Sequence, residues 1–380
     1  MKISKIEIIR IAIPFTAGRK QVNDAGQDFN AASPNLDKME SLIVKIHTND
    51  GLIGWGEAFG HLMNPVTYSA LEHQVAPFFL DKQFSDQESL FDLMKDAEYA
   101  FHGFGRTGPI RYALSAIDIA LWDLLAQQSK LPLWKLLGGK RQNISIYPSL
   151  VSYENDPNQV SKKVQEVVEK GFKQIKLHET TFEAVEAAKN ALLPDCELMV
   201  DVNCCWNKQE AAAEISKLKT LDLKWLEEPV WPVDDFDALQ ELNQQGISIS
   251  AGENTAGEQD AIRLIKNKIV DIVQPSVSKI GGISSAVQVI QAGLAHGVTV
   301  VPHCFYYGPG MLATAHLVSL LPESIHLEVP YIQFSEHLHE LTQYKPQVLL
   351  PETPGLGFQI NEDILSKYII TSKTCMNQGA

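Results

Sequence analysis

Short apolar runs, each ending in a charged residue, recur along the chain at nearly constant intervals. Three of these runs end at Asp201, Glu227 and Glu253, so that each end follows the previous one by 26 residues. Amphipathic segments lie between them, for example at residues 210–218 and 235–244. A strand, a helix and two connecting loops need about that many residues, so each interval predicts one βα unit of a parallel sheet.

The same spacing continues in both directions. Further apolar runs occupy residues 144–147, 172–178, 270–276, 298–303 and 325–328. Together the runs predict eight strands with seven helices between them, a (β/α)7β arrangement. This regular spacing favours a closed α/β barrel of the TIM type over an open sheet, in which the strand order reverses.

Residues 1–135 do not follow this spacing and predict an α+β domain that precedes a barrel at residues 136–354. Asn49-Asp50-Gly51 joins two apolar runs and indicates a hairpin, and helical patterns follow it. From about residue 355 to residue 380 the chain leaves the barrel pattern, and we expect this part to complete the N-terminal domain. Residues 15–34 form a polar stretch, and a loop of that length is usually either functional or disordered.

Composition excludes some classes of function. The chain has 380 residues, of which 45% are hydrophobic, and a formal net charge of −14. That charge argues against a nucleic-acid partner, because phosphate binding needs a basic face. The sequence shows no uncharged apolar run of membrane-spanning length, and its five cysteines have neither zinc spacing nor a disulfide framework. We therefore expect a cytoplasmic protein with no membrane partner.

Polar residues concentrate at the predicted C-terminal ends of the barrel strands, where the functional side chains of such barrels lie. These positions hold Lys176, His178, Asp201, Glu227, Glu253, His303 and Glu328. Chemistry at this end of the barrel is therefore the leading hypothesis.

A metal site is the first element of that hypothesis. Asp201, Glu227 and Glu253 lie on successive strands, and three neighbouring carboxylates repel one another unless a cation neutralises them. Oxygen ligands without histidine or cysteine suit a hard ion, with Mg²⁺ first. The alternative is that these acids cap helices or pair with lysines. The sequence alone allows Glu228, instead of Glu227, to be the ligand.

Proton-handling groups are the second element. Lys176 and His178 are two residues apart on one strand, so their side chains face the same side. Beside the acidic residues, this pair indicates acid–base chemistry. The alternative is an outward salt bridge for Lys176 and a hydrogen-bonded core position for His178. For His303 or Glu328 taken singly, a helix cap or a surface hydrogen bond is the more ordinary explanation.

Several motifs in register resemble the enolase superfamily, and most closely its mandelate racemase group, which includes acid-sugar dehydratases. They are Lys176-Leu177-His178, Asp201-Val202-Asn203, Glu227-Glu228-Pro229, Gly252-Glu253-Asn254, Lys279-Ile280-Gly281-Gly282 and Pro302-His303. The resemblance spans nearly the whole chain. It implies a modified TIM barrel with an N-terminal capping domain, a Mg²⁺ cofactor and a symmetric homo-oligomer.

The resemblance also implies roles for individual residues. Asp201, Glu227 and Glu253 match the Mg²⁺ ligands. Lys176 matches the residue that contacts the substrate carboxylate, and His178 and His303 match the bases on the two faces of the substrate. Glu328 matches the acid that hydrogen-bonds the enolate. Residues 15–34 match the capping loop that closes over the substrate in this family. Its residues Arg19 and Lys20, together with Asn203 and Ser276, are the remaining candidates for substrate contact.

Two positions depart from the family pattern. His178 stands where the family usually has a second lysine, and it is basic near pH 7 without the large downward pKa shift that a lysine needs. Ser276 stands where the family has an aspartate that orients the histidine on the seventh strand. Because a serine cannot stabilise an imidazolium as a carboxylate does, we expect His303 to be a weaker base.

These departures predict dehydration of a sugar acid to a 2-keto-3-deoxy acid, a lyase reaction that needs only one base and one acid. The partner is then a small carboxylate, with Mg²⁺ as cofactor. The first alternative is a racemase or epimerase of a hydroxy or sugar acid that uses His178 and His303 as opposed bases. The second is a degenerate barrel that binds metal and ligand without turnover.

Overall fold

The computed structural model describes residues 1–18 and 37–377. The strands are β1 (Ile3–Thr16), β2 (Lys38–Thr48), β3 (Ile53–Ala58), β4 (Asn143–Ser149), β5 (Gln174–Leu177), β6 (Glu197–Asp201), β7 (Trp225–Glu227), β8 (Ile249–Ala251), β9 (Ile272–Val273), β10 (Thr299–Val300), β11 (Leu327–Pro330), β12 (Gln333–Phe334), β13 (Gln347–Leu349) and β14 (Ile369–Met376).

Helices alternate with the strands from β4 onward. The α-helices are α1 (Asn64–Ala70), α2 (Ala76–Phe79), α3 (Gln87–Ala100), α4 (Pro109–Gln128), α5 (Leu133–Leu136), α6 (Pro157–Glu169), α7 (Phe182–Asn190), α8 (Lys208–Leu218), α9 (Phe236–Leu242), α10 (Glu258–Lys266), α11 (Val277–Ile280), α12 (Gly282–His296), α13 (Pro309–Val318) and α14 (Glu362–Lys367). Short 3₁₀ turns occupy His61–Met63, His102–Phe104, Lys219–Leu221 and Glu340–Gln343, and a π turn occupies Leu71–Val75.

The parallel strands follow one another in chain order. Strands β4 to β10 pair successively, and β11 returns to pair with β4 on its other side. Helices α6 to α13 occupy the seven connections between these eight strands. The predicted fold class, a (β/α)7β modified TIM barrel with an N-terminal α+β domain, is confirmed.

The outer helices form because their apolar residues recur with the helical period. Helix α6 buries Val160, Val164 and Val167, which are three or four residues apart and therefore share one face. The side chain of Asp156 accepts a hydrogen bond from the Asn158 amide and caps the first turn. Such helices pack one apolar stripe against the sheet, and the loops, not the helices, lie at the strand ends.

The sixth and seventh barrel strands are shorter than the sequence predicted. The apolar runs covered residues 270–276 and 298–303, but β9 and β10 each span two residues. Pro275 and Pro302 explain the difference, because proline has no amide hydrogen for the ladder. The His303 amide still donates to the Pro275 carbonyl at 3.1 Å, so His303 keeps its place at the strand end.

The N-terminal domain is an antiparallel sheet covered by helix α4. Strands β1, β2 and β3 pair in order, and the C-terminal strand β14 pairs with the free edge of β1. Gly56 lets β3 approach α4 closely, since a Cβ there would lie 1.8 Å from the Ala116 carbonyl oxygen.

Glu57, at the end of β3, joins this domain to the barrel. Its buried carboxylate accepts hydrogen bonds from the amides of Gly308 and Gly310, at the start of helix α13. This contact fixes the chain that follows Glu57 over the barrel mouth. None of the helices in the described part of the chain is both long and apolar enough to cross a membrane.

Candidate active site

A cavity of about 650 Å³ lies between the N-terminal domain and the C-terminal ends of the barrel strands. The barrel lines it with Ser149, Lys176, His178, Asp201, Asn203, Cys204, Cys205, Glu228, Trp231, Val233, Glu253, Asn254, Lys279, His303, Phe305 and Glu328. The N-terminal domain adds Phe59, His61 and Tyr112. The cavity therefore has a charged floor and a largely aromatic wall.

Lys176 lies at the centre of the charged floor. Its Nζ lies 2.6 Å from Glu328 Oε1, 2.9 Å from Glu227 Oε1 and 3.3 Å from Asp201 Oδ2. Burial by itself would lower the pKa of this ammonium group, but the three carboxylates outweigh it and raise the pKa well above its ordinary value. Lys176 is therefore a fixed positive charge in the middle of the site.

His178 has a defined ring orientation. Its Nδ1 lies 2.5 Å from the Leu150 carbonyl oxygen, and its Nε2 lies 3.2 Å from Asp201 Oδ2. A carbonyl oxygen can only accept, so Nδ1 carries a proton and donates it to Leu150. Nε2 is then the nitrogen that gains and releases a proton on the side of the acidic residues.

His303 is held on the opposite side of the acidic residues by Glu253. Its Nε2 donates to Glu253 Oε2 at 2.5 Å, whereas its buried Nδ1 has no hydrogen-bond partner among the described residues. Ser276, the aligned residue on the neighbouring strand, places its hydroxyl 3.4 Å from the hydroxyl of Tyr306. The imidazole of His303 therefore lacks the carboxylate partner that the family pattern supplies.

Buried negative charge dominates the cluster. Five carboxylates share the site with Lys176 and Lys279: Asp201, Glu227, Glu228, Glu253 and Glu328. Burial, reinforced by the charges of Glu253 and Asp201, raises the pKa of Glu228 to about 8. Burial also raises the pKa of Glu227 well above its ordinary value, although Lys176 opposes the shift. A cation beside Glu227 and Glu228 would reduce the free-energy cost of ionising both carboxyl groups.

The individual acids differ in their present partners. Burial would raise the pKa of Glu253, but His303 and Lys279 outweigh it and hold the pKa well below its ordinary value. Lys176 and His178 likewise outweigh burial and lower the pKa of Asp201. The carboxylates of Glu253 and Asp201 are therefore ionised at neutral pH, and their oxygens are available as metal ligands.

The buried carboxylates are candidate ligands for a metal ion. Among the described residues, no three Asp, Glu, His or Cys side chains surround one point as they are now placed. Instead, Asp201 and Glu227 contact Lys176, and Glu253 contacts His303. The chemistry of the site nevertheless suits a metal ion. Its buried carboxylate oxygens have too few positively charged neighbours, and such oxygens are the ligands that a hard divalent cation such as Mg²⁺ prefers.

Three residues at the strand ends that carry the acids have a strained backbone. Asn203, Cys204 and Glu228 have φ values of 45°, 58° and 42°, in the left-handed region that non-glycine residues avoid. Local hydrogen bonds hold this geometry, since the Asn203 amide donates to Asp201 Oδ1 and the Cys204 amide donates to the Glu228 carbonyl. Strain of this kind persists where the surrounding structure requires it, often at functional sites.

The structure brings most of the residues singled out from the sequence to one cavity. Those that line it are Lys176, His178, Asp201, Asn203, Glu253, His303 and Glu328. Glu227 lies behind Lys176, where its second oxygen accepts from Trp225 Nε1 at 3.0 Å. Ser276 lies behind His303 and not among the lining residues. Arg19 and Lys20 lie outside the described residues.

No role was predicted for several of the lining residues, among them Lys279, Phe59 and His61. Lys279 Nζ lies 2.7 Å from Asn254 Oδ1, 3.7 Å from Glu253 Oε1 and 4.6 Å from the centre of the Phe59 ring. Its place in the Lys279-Ile280-Gly281-Gly282 motif was the available signal. Phe59 and His61 come from the other domain, and no pattern in the sequence indicates that contact.

Comparison with known proteins agrees with this geometry. Residues 159–364 match the family model described as enolase C-terminal domain-like. Residues 20–138 match the model of the mandelate racemase/muconate lactonizing enzyme N-terminal domain. Each model therefore covers one of the two domains, and together they cover most of the chain.

Individual relatives catalyse several reactions. D-galactarolactone cycloisomerase of Agrobacterium fabrum is 28% identical over 363 residues, which cover 90% of this chain and 94% of that protein. Hydrophobic dipeptide epimerase of Enterococcus faecalis is 28% identical over 347 residues, which cover 87% of this chain and 95% of that protein. Among solved structures, an L-talarate/galactarate dehydratase variant liganded with Mg and L-glucarate has a TM-score of 0.81 and 25% identity. That match covers 98% of this chain and 93% of the dehydratase. The chain belongs to the mandelate racemase/muconate lactonizing enzyme family of the enolase superfamily.

Proposed function

We propose that this protein is a Mg²⁺-dependent enzyme that removes the α-proton of a carboxylate substrate, and that its reaction is the dehydration of a sugar acid. The product is a 2-keto-3-deoxy acid. The observation that carries the proposal is the placement of His178, whose Nδ1 is committed to Leu150 while Nε2 lies beside Asp201 in the cavity. The dehydratase, epimerase and cycloisomerase relatives support the reaction class.

The first step places His178 as the base. Its Nε2 takes the α-proton, and the electron pair of the broken C–H bond moves into the carboxylate to give an enediolate. The resulting imidazolium donates to Leu150 from Nδ1 and to Asp201 from Nε2, so both of its protons have acceptors. A positioned base contributes about 10²–10⁴-fold to such a step.

The charge of the enediolate needs positive partners. Lys176 would hold one carboxylate oxygen of the substrate, and Glu328, whose Oε1 lies 2.6 Å from Lys176 Nζ, would hold that ammonium group in place beside the enediolate. When bound, Mg²⁺ held by Asp201, Glu227 and Glu253 would supply further positive charge at the same oxygens. Glu228 remains an alternative to Glu227 because it lines the cavity.

The second step removes the β-hydroxyl. The electron pair of the enediolate returns to form a carbon–carbon double bond while the C–O bond breaks. A proton from Nε2 of His303 in its imidazolium form, or from the imidazolium of His178, turns the leaving group into water and leaves a neutral ring. The remaining enol becomes the 2-keto acid by proton transfer. His303 suits the role of donor because its Nε2–H already donates to Glu253 and its Nδ1 has no carboxylate partner in the described structure.

Epimerisation is the second candidate. His178 and His303 line the same cavity from different strands, which is the arrangement that a two-base reaction needs. The epimerase among the relatives supports this alternative. The missing carboxylate at Ser276 favours dehydration, because a two-base reaction requires His303 to be a good base as well as a good acid.

Proton NMR in D₂O tests the proposal. The protein with Mg²⁺ is incubated with a library of mono- and diacid sugars. Loss of an α-proton signal together with a new 3-deoxy methylene signal is the result expected for dehydration. Exchange without the methylene would indicate epimerisation. No exchange with any acid, in a protein shown to bind Mg²⁺, would contradict the proposal and favour a barrel that binds without turnover.

A further inference from the structure

Glu179, the residue after His178, is fully buried and lies outside the cavity lining. Its carboxylate accepts hydrogen bonds from two backbone amides of the loop that follows β4. The Tyr153 amide donates to Oε1 at 2.5 Å, and the Asn155 amide donates to Oε2 at 2.7 Å. The carboxylate thus connects the loop after β5 to the loop after β4.

Asn155 makes the reverse connection. Its Oδ1 accepts from the amide of Thr180 at 2.7 Å and from the amide of Thr181 at 3.1 Å. Counting only backbone amides that donate to these two side chains, the loops exchange four hydrogen bonds, two in each direction. Glu154 and Asn155 have φ values of 60° and 56°, a strained backbone that must be held by such contacts.

The same two loops contain the hydrogen bond that orients the His178 ring. The Leu150 amide donates to the Lys176 carbonyl at 2.8 Å, and the Leu150 carbonyl accepts from His178 Nδ1 at 2.5 Å. Leu150 begins the first loop and His178 begins the second. Leu150 and His178 are therefore the first residues of the two loops that Glu179 and Asn155 join further along the chain.

We propose that Glu179 is a positioning residue, which joins the two loops and thereby keeps the proton of neutral His178 on Nδ1. Loss of the connection would let the first loop and Leu150 move away from the ring. The neutral imidazole would then place its proton on Nε2, where Asp201 is an acceptor, and the base would face the wrong way. The effect on catalysis rests on the proposed function, whereas the effect on the ring proton does not.

Glu179→Gln tests the inference with little change in volume. A glutamine side chain has one oxygen, and its NH₂ group would face an amide that also donates, so one of the two amide contacts is lost. The matched control is Asp123→Asn. Asp123 is another buried carboxylate that accepts from two amides, those of Trp55 and Leu356, but it lies in α4.

The tautomer of His178 is read from the ¹⁵N chemical shifts of the histidine-labelled protein, with His178→Asn used to assign the signals. We expect neutral His178 to carry its proton on Nδ1 in the wild type and in Asp123→Asn. In Glu179→Gln we expect an Nε2–H population and, with an active substrate, kcat lower by about 10-fold or more, as for other groups that orient a functional histidine.

Asn155→Ala cuts the same connection from the other loop and should give the same result, so a Glu179 variant that fails to fold does not end the test. Unchanged His178 ring shifts in a folded loop variant, with stability reduced as in Asp123→Asn, would overturn the inference. If no acid undergoes α-proton exchange in the wild type, the proposed function fails while the tautomer result still decides this inference.

Discussion

Ser276 and His303 are aligned on neighbouring strand ends, yet their side chains do not form a hydrogen bond. The hydroxyl of Ser276 lies 3.4 Å from the hydroxyl of Tyr306, which in turn donates to the His303 carbonyl at 2.8 Å. Within the described structure, His303 Nδ1 is buried without a partner. The two strand ends are thus joined through Tyr306, and Nδ1 of His303 is left without a carboxylate partner, whereas its Nε2 contacts Glu253.

Ser276→Asp should supply that carboxylate to His303. An aspartate there would accept from Nδ1–H and stabilise the imidazolium, which makes His303 a stronger base. We expect α-proton exchange on the His303 face to rise by about 10-fold or more, since the carboxylate of such a pair contributes strongly in other enzymes. Deuterium incorporation into each epimer of the substrate measures it. Ser276→Asn is the neutral control, and equal exchange in both variants would contradict the expectation.

Mg²⁺ affinity tests the ligand set. Asp201→Asn and Glu253→Gln each remove an ionised oxygen donor, and we expect each to weaken Mg²⁺ binding in calorimetry by about 10-fold or more. Glu227→Gln should do the same. Glu228→Gln, at the neighbouring position, tests the alternative ligand. If Glu228→Gln abolishes binding and Glu227→Gln does not, the third ligand is Glu228.

Lys279 is expected to contact the substrate. Its ammonium group lines the cavity with one close oxygen neighbour, Asn254 Oδ1, and a more distant one on Glu253. Lys279→Gln should raise KM by about 10-fold or more, because a hydrogen bond to a charged group contributes about 1.5–3 kcal/mol. Steady-state kinetics and Mg²⁺ titration distinguish a role in substrate binding from a role in balancing the charge of the acidic residues. An unchanged KM with weakened Mg²⁺ binding would mean that Lys279 only balances the acidic residues.

His316 makes stability depend on pH. It is fully buried in α13, its Nδ1 accepts from the Trp134 amide, and its Nε2 donates to the Leu356 carbonyl, so the fold requires the neutral ring. Burial lowers its pKa from 6.5 to about 4, although the Leu356 contact opposes the shift. The unfolded chain therefore binds a proton more readily than the folded chain between these two values.

The contribution of His316 is consequently complete above pH 6.5 and falls as the pH drops toward 4, by about 3 kcal/mol in total. Urea unfolding at a series of pH values measures the slope. His316→Gln should reduce that slope between the two pKa values by the share of one histidine, whatever its effect at pH 8, while His61, His326 and His339 keep theirs. A variant slope equal to that of the wild type would show that the buried ring is not the acid-sensitive group.

Much of the fold and site could be predicted because spacing along a βα chain determines position around a barrel. The interval of 26 residues from Asp201 to Glu227 and from Glu227 to Glu253 places three acids on successive strand ends. The presence of His178 where the family has a lysine, and of Ser276 where it has an aspartate, could also be recognised from the sequence alone. Each of these inferences depends on order along the chain.

The features that were not predicted depend on contacts between distant segments. Phe59 and His61 reach the cavity because Glu57 binds the start of α13, about 250 residues later in the chain. The direction of the Ser276 hydroxyl depends on Tyr306, and the tautomer of His178 depends on a carbonyl in another loop. Local pattern carries no information about such pairings, which the packed structure decides.

Deuterium exchange at the α-carbon in two single variants tests the central claim most directly. His178→Asn and His303→Asn are each incubated in D₂O with Mg²⁺ and the acid that the wild type converts. We expect α-proton exchange to stop in His178→Asn and to persist in His303→Asn. In His303→Asn only the second step, the loss of the β-hydroxyl, should become slower. Exchange that continues in His178→Asn and stops in His303→Asn would contradict the assignment of His178 as the base.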